Sequence, residues 1–359
     1  MKFYTKITII VVLLLAVVGF SIWCFNITTN NSIPLAPTSI TKNGTGKLVD
    51  IGNGLKLYAY CSGPVNTKGP TVILDAGMNG THASWMLVQR ELSKFAHTCS
   101  YDRAGHGLSD SGPKPRTSKK NARELNKLLN KSNIPGPYLL VGHSFGGMNV
   151  RTFAALYPQN VAGIVLVDAM HEDQISKIDS LPWPKPNFND SVREFIQKYF
   201  PIWSFLDYKK SYDEYPRKEL YTQEEWDYIL ALQASYKHYM SIGFEDQAIS
   251  QSSFELKSLN KNLGNKPIFV ITAGKESRIF DENKVYDNDE DITYAKIFTE
   301  CKNICFHLHK NFLDYSTQSK HIIADNSEHD VPDQQPELIV KVILEVLSHL
   351  VTSVKVDPN

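Results

Sequence analysis

Seven short apolar runs constrain the architecture of this chain most: "LKLYAYC", "TVILDAG", "HTCSYD", "YLLVGHS", "GIVLVDA", "PIFVITAG" and "HIIAD". Polar residues interrupt them little, so they lack the alternation of a strand with one wet face and read as strands buried on both faces. Helical patterns lie between them. "SKKNARELNKLLNKSN" starts behind Thr117 and Ser118, which can cap it, and "PELIVKVILEVLSHLV" carries apolar residues at helical spacing. The pattern predicts an α/β fold, a parallel sheet covered by helices. With 359 residues, 42% of them hydrophobic, the chain can bury such a core.

The rhythm breaks once. About 95 residues separate "GIVLVDAM" from "PIFVITAG", far more than a single crossover helix needs. That interval is dense in aromatics, as in "FIQKYFPIWSFLDYKKSYDEY" and "EEWDYILALQASYKHYM". It reads as a helical lid, residues 171–265, inserted between core segments 47–170 and 266–359. Residues 27–46, rich in Asn, Thr, Ser and Pro, read as a linker.

Ahead of the linker, Lys2 and Lys6 precede "ITIIVVLLLAVVGFSIWCF", an uncharged run of about 19 residues, close to the length that crosses a bilayer. The lysines should stay cytoplasmic, leaving the rest of the chain outside. A cleavable signal peptide is the competing reading, with a secreted product. Its apolar region is usually shorter and ends in small residues, whereas Ile22, Trp23 and Cys24 follow Ser21 here. We therefore expect residues 1–26 to be an uncleaved membrane anchor and the following domain to be extracytoplasmic. Outside that segment lie Cys61, Cys99, Cys301 and Cys305, an even number suited to an oxidising compartment. None has zinc-like spacing, and "HLH" at 307–309 reads as surface or helix chemistry, so no metal site is expected. Lys+Arg and Asp+Glu both total 38, which leaves no basic field for nucleic acid.

Gly142-His143-Ser144-Phe145-Gly146 stands between the run "YLLV" and the helical "GMNVRTFAALYP". In a strand–turn–helix context G-x-S-x-G places its serine on a sharp, strained turn, with glycines where larger residues would collide with neighbouring backbone. Ser144 is thus a candidate nucleophile. The same stretch cannot be a dinucleotide loop, because Ser144 stands where the second glycine of G-x-G-x-x-G must lie; no cofactor is expected.

From about residue 48 to 350, apart from the lid, the chain resembles the α/β-hydrolases of the Ser-Asp-His type. "YDRAGHGLSD" is similar to that family's Asp-x-x-Gly-x-Gly-x-Ser segment, and "ILDAGMNG" stands in place of its His-Gly oxyanion loop, with Ala76 replacing the histidine. The resemblance implies a mostly parallel eight-stranded sheet. It places the catalytic base after the last strand, at His329 in "ADNSEHDVPDQQPE". His143 adjoins the serine but should point elsewhere, and His106 should only line the site. Chain order puts the acid between Ser144 and His329. Asp168, at the tip of "IVLVDAMHED", is our choice, and Glu276, after the next strand, is the alternative. Backbone donors for the oxyanion are implied at Met78, after Gly77, and at Phe145. The implied sheet also sets Cys61 beside Cys99 as a disulfide, whereas local pairing of Cys301 with Cys305 stays open.

The expected activity is that of a membrane-anchored serine hydrolase acting on carboxylic esters, lipid esters included. A peptidase, a thioesterase, a carbon–carbon bond hydrolase or a non-catalytic binding protein are the alternatives. Epoxide hydrolases and dehalogenases of this fold use an aspartate at the elbow, so Ser144 argues against both.

Overall fold

The computed structural model describes residues 36–37, 44–65, 69–184, 217–275 and 289–353. The expected N-terminal anchor, most of the linker, residues 185–216 of the lid, and Glu276 lie outside these residues.

Eight strands form one sheet: β1 (Gly44–Asp50), β2 (Lys56–Ser62), β3 (Thr71–Asp75), β4 (Thr98–Tyr101), β5 (Tyr138–His143), β6 (Val161–Val167), β7 (Ile268–Ala273) and β8 (Ser319–Ala324). Their order is β1-β2-β4-β3-β5-β6-β7-β8. β2 runs antiparallel to both β1 and β4, and the remaining pairs are parallel. The sheet is therefore mostly parallel, as expected. Cys61 and Cys99 face each other across β2 and β4, with their sulfurs 2.08 Å apart as a disulfide. Cys301 and Cys305 are not joined in a disulfide.

Every residue of β3 and β5 is buried, which is why these strands are unbroken apolar runs in the sequence. Successive side chains serve opposite faces. Leu140 and Ile164 pack with Leu125 and Phe153, from helices α2 (Ser118–Lys131) and α3 (Phe145–Leu156). Leu139 and Val141 pack on the other face with Val88 of α1 (Met86–Leu92) and Val346 of the C-terminal helix. Each such side chain contributes about 1.5–3 kcal/mol by leaving water.

After β6 come α4 (Gln174–Asp179), α5 (Gln223–Gln233), α6 (Tyr236–Gln247) and α7 (Ile249–Lys257). After β7 come α8 (Asp289–Asn311), α9 (Val331–Gln334) and α10 (Pro336–Ser353). Trp226, Tyr228 and Leu232 of α5 pack on Tyr58, Tyr60 and Leu87, so these aromatics of the insert anchor it to the sheet.

The segment read as linker up to residue 46 overlaps β1, which begins at Gly44. Most of β1 is exposed, so this edge strand carries no apolar run to announce it.

Candidate active site

Ser144 terminates β5 and caps α3 with φ 51° and ψ −121°, a conformation that costs a non-glycine residue on the order of 1–3 kcal/mol. Three backbone hydrogen bonds hold it there. Its N–H donates to Val167 O (3.1 Å), and its carbonyl accepts from Gly147 N (2.9 Å) and Met170 N (2.9 Å). The flanking glycines are needed for close approach. A Cβ on Gly142 would stand 2.6 Å from Gly146 O, and one on Gly146 would stand 2.3 Å from Asp75 O.

His329 enters from the turn between β8 and α9. Its Nε2 lies 2.9 Å from Ser144 Oγ, and its Nδ1 lies 2.6 Å from Asp168 Oδ2. With Nδ1–H donating to the carboxylate, Nε2 is left to accept the serine proton. Asp168 follows β6 with φ 40°, its N–H donating to Ile271 O (2.7 Å) and its Oδ1 accepting from Ala273 N (3.0 Å). Burial alone would raise its pKa. The hydrogen bond and charge of His329, with help from His309, outweigh burial and hold it at about 2, so the carboxylate stays ionised. Ser144, Asp168 and His329 are thus brought into one hydrogen-bonded chain. Glu276, the alternative acid, lies outside the described residues.

The loop expected to supply an oxyanion donor also lies against the serine. A Cβ on Gly77 would stand 3.4 Å from Ser144 Cβ. Phe145 is the first residue of α3, so its N–H has no acceptor within the helix.

Two histidines support this chain in ways the sequence did not disclose. His143 is buried and its Nε2–H donates to the carbonyl of His329 (2.8 Å). Burial, then the nearby His329, depresses its pKa to about 4, keeping it neutral. In "HLH", His307 is exposed, but His309 is buried: Nε2–H donates to Ala169 O (2.9 Å) and Nδ1 lies 2.8 Å from Thr272 Oγ1 and 3.9 Å from Asp168 Oδ1. The i, i+4, i+8 stripe of Cys301, Cys305 and His309 was the available signal, because all three face one cavity. His106 is fully buried, its Nε2 3.2 Å from Glu245 Oε2, and it does not line that cavity.

The cavity encloses about 440 Å³ beside Ser144, Asp168 and His329. Its apolar walls are Met170, Ile178, Trp183, Phe298 and Phe306. Elsewhere, Cys61, His97 and Cys99 cluster closely, but the disulfide uses both sulfurs and leaves no thiolate for a metal.

The family model described as alpha/beta hydrolase fold matches residues 70–304. Bacillus subtilis YqjL, described as an uncharacterized protein, is 23% identical over 280 residues, 78% of this chain and 84% of that one. The "Probable transporter efuK" of Hormonema carpetanum is 28% identical over 243 residues, 65% of this chain but 31% of its own length. Among solved structures, the Cif epoxide hydrolase from Acinetobacter nosocomialis superimposes with a TM-score of 0.61 at 16% identity, covering 92% of this chain and 96% of that one. Sheet order, the elbow at Ser144 and the family match lead to one conclusion: the chain belongs to the alpha/beta hydrolase fold family.

Proposed function

We propose that this protein is a serine hydrolase that cleaves carboxylic esters through an acyl-enzyme, and that its N-terminal segment holds the catalytic domain on the extracytoplasmic face of a membrane. The observation that carries the catalytic reading is the chain Ser144 Oγ–His329 Nε2 at 2.9 Å and His329 Nδ1–Asp168 Oδ2 at 2.6 Å. Ser144 Oγ attacks the ester carbonyl as its proton passes to Nε2. Asp168 steadies the imidazolium, and the backbone N–H groups of Met78 and Phe145 receive the oxyanion. Collapse expels the alkoxide, which takes the proton from Nε2. Water, activated by the same nitrogen, then releases the acid and frees Ser144.

The cavity favours a substrate with an apolar part. Its volume of about 440 Å³ lies within the range of small-molecule sites, and Met170, Ile178, Trp183, Phe298 and Phe306 offer an acyl or alkyl group an apolar surface, although Lys275 and Lys302 also line it. The names of structural neighbours do not carry over. An epoxide hydrolase at 16% identity shares the fold, and the serine at this elbow supports acyl transfer instead. A catalytically silent binding role would not require three side chains in this register. Lys2, Lys6 and the apolar run after them, with the Cys61–Cys99 disulfide, support the membrane location and an oxidising compartment.

A fluorophosphonate probe applied to the full chain tests this reading. Wild type should label covalently, Ser144→Ala should not, and Ser348→Ala, on the exposed side of α10, should label like wild type. Failure of the folded wild type to label would sink the hydrolase assignment.

A further inference from the structure

Arg103, just beyond β4, is 2% exposed, and each guanidinium nitrogen is engaged. Nη1 donates to Ala76 O (2.7 Å) and Asp75 Oδ1 (3.0 Å), and Nη2 donates to Gly77 O (2.8 Å) and Met78 O (3.2 Å). Nε and Nη2 also reach Glu245 of α6, at 2.7 and 2.9 Å. Glu245 is fully buried and accepts a further bond from Asn121 (3.1 Å). The guanidinium lies 5.7 Å from the ring centre of Phe145, so Arg103 touches both residues expected to stabilise the oxyanion.

The geometry has a directional consequence. In a trans peptide the N–H points opposite to the preceding carbonyl. With Gly77 O fixed on Arg103, the Met78 N–H must point away from Arg103, while Gly77 itself packs against Ser144. Gly77 O also accepts from Gly80 N–H (2.9 Å) in a local turn, but Arg103 is the group that gathers the carbonyls of Ala76, Gly77 and Met78 on one side.

We propose that Arg103, clamped by Glu245 of the inserted helix α6, is the positioning residue of the oxyanion loop, so that the insert governs the rate of acyl transfer at Ser144 as well as the shape of the site. This rests on the serine hydrolase reading above. Net stability is a weak reason for such a pair, because apolar replacement of both partners of a buried ion pair is often neutral, whereas removing one partner strands a charge.

The test uses the full chain, a p-nitrophenyl ester, and a trifluoromethyl ketone whose hemiketal oxygen mimics the oxyanion. In Glu245→Gln, kcat should fall about 10- to 100-fold with KM changed less than about twofold, and ketone affinity should weaken by the same factor as kcat. Arg103 also pairs with buried Asp75 (3.0 Å), so the paired variant Arg103→Met with Glu245→Met is built together with Asp75→Asn and leaves none of these three groups as a lone charge. It should keep wild-type thermal stability yet lose at least as much kcat, and it decides the matter should Glu245→Gln not fold. Unchanged kcat in Glu245→Gln, its recovery in the paired variant, or a rise in KM alone would overturn the proposal and leave α6 as a structural anchor. Wild type that folds but does not label with fluorophosphonate overturns the hydrolase reading, and this proposal with it; labelled wild type with unaffected variants overturns this proposal alone.

Discussion

On one side of Ser144, the oxyanion loop rests on Arg103, Asp75 and Glu245, at most 2% exposed and joined by ion pairs and carbonyl contacts. On the other side, the His329 side chain is 56% exposed; its Nδ1 meets a carboxylate oxygen of Asp168, and its carbonyl accepts from His143 and from Val331 N–H. The difference follows from the two tasks. A donor for a developing charge works best when it cannot reorganise, whereas a base must reach the serine, the leaving group and water in turn. In the proposed mechanism, rigidity is therefore concentrated where charge appears and kept thin where a proton moves.

The largest effect should come from cutting the carboxylate contact on the thin side. Asp168→Asn leaves the shape intact but cannot accept from Nδ1–H as a carboxylate does. Turnover should fall by about 10⁴-fold, as expected when the imidazole loses its tautomer and its counter-charge. Glu276→Gln should stay within about twofold of wild type. Kinetics of both variants on one ester decide: if only the latter abolishes turnover, the acid lies outside the pairing described above.

Acid should act on stability through two buried histidines, His143 beside His329 and His171, which stacks on Phe312. His143 and His171 have pKa values depressed to about 4, chiefly by burial, against an ordinary 6.5. The unfolded chain then binds protons that the native protein refuses, so their contribution is full above pH 6.5 and declines as pH falls towards 4. Each such histidine should remove about 1.4 kcal/mol per pH unit in that window. Asp168, held at about 2, keeps its contribution throughout and loses it only as pH falls from the ordinary carboxylate range through 2. Denaturant titrations at pH 7, 5.5 and 4.5 measure the slope. If His143→Met leaves that slope unchanged, His143 is not kept neutral by the fold.

What could be read in advance divides along physical lines. Strands β3, β5 and β6 were legible because burial on two faces forces continuous apolar sequence, and the elbow was legible because close backbone contacts at Gly142 and Gly146 admit only glycine. β1 was not, since an exposed edge needs no such composition. Arg103 and Glu245 are separated by 142 residues, and neither stands in a periodic pattern; their meeting is a tertiary fact. In "HLH" the sequence does not separate His309 from His307, although residues two apart on a helix turn one side chain inward and the other outward. His143 was expected to point away from the chemistry, yet its bond ends on the backbone of the base itself.

That last contact gives the smallest prediction and the most direct probe of the thin side. His143 Nε2–H fixes the carbonyl of His329 at 2.8 Å, and the two rings lie 4.8 Å apart at a tilt of 41°. Methionine at this position removes the donor while filling a similar volume, whereas glutamine can place an amide N–H near the Nε2 position. The lost hydrogen bond is worth about 0.5–1.5 kcal/mol, so His143→Met should lower kcat about 3- to 10-fold, and His143→Gln should recover most of it. Since neither change touches Arg103, affinity for the trifluoromethyl ketone should fall no further than kcat does. A loss in His143→Met as large as that of Asp168→Asn would mean that the base loop rests on this bond alone, and the contrast between a rigid and a thinly held side would be sharper than the contacts indicate.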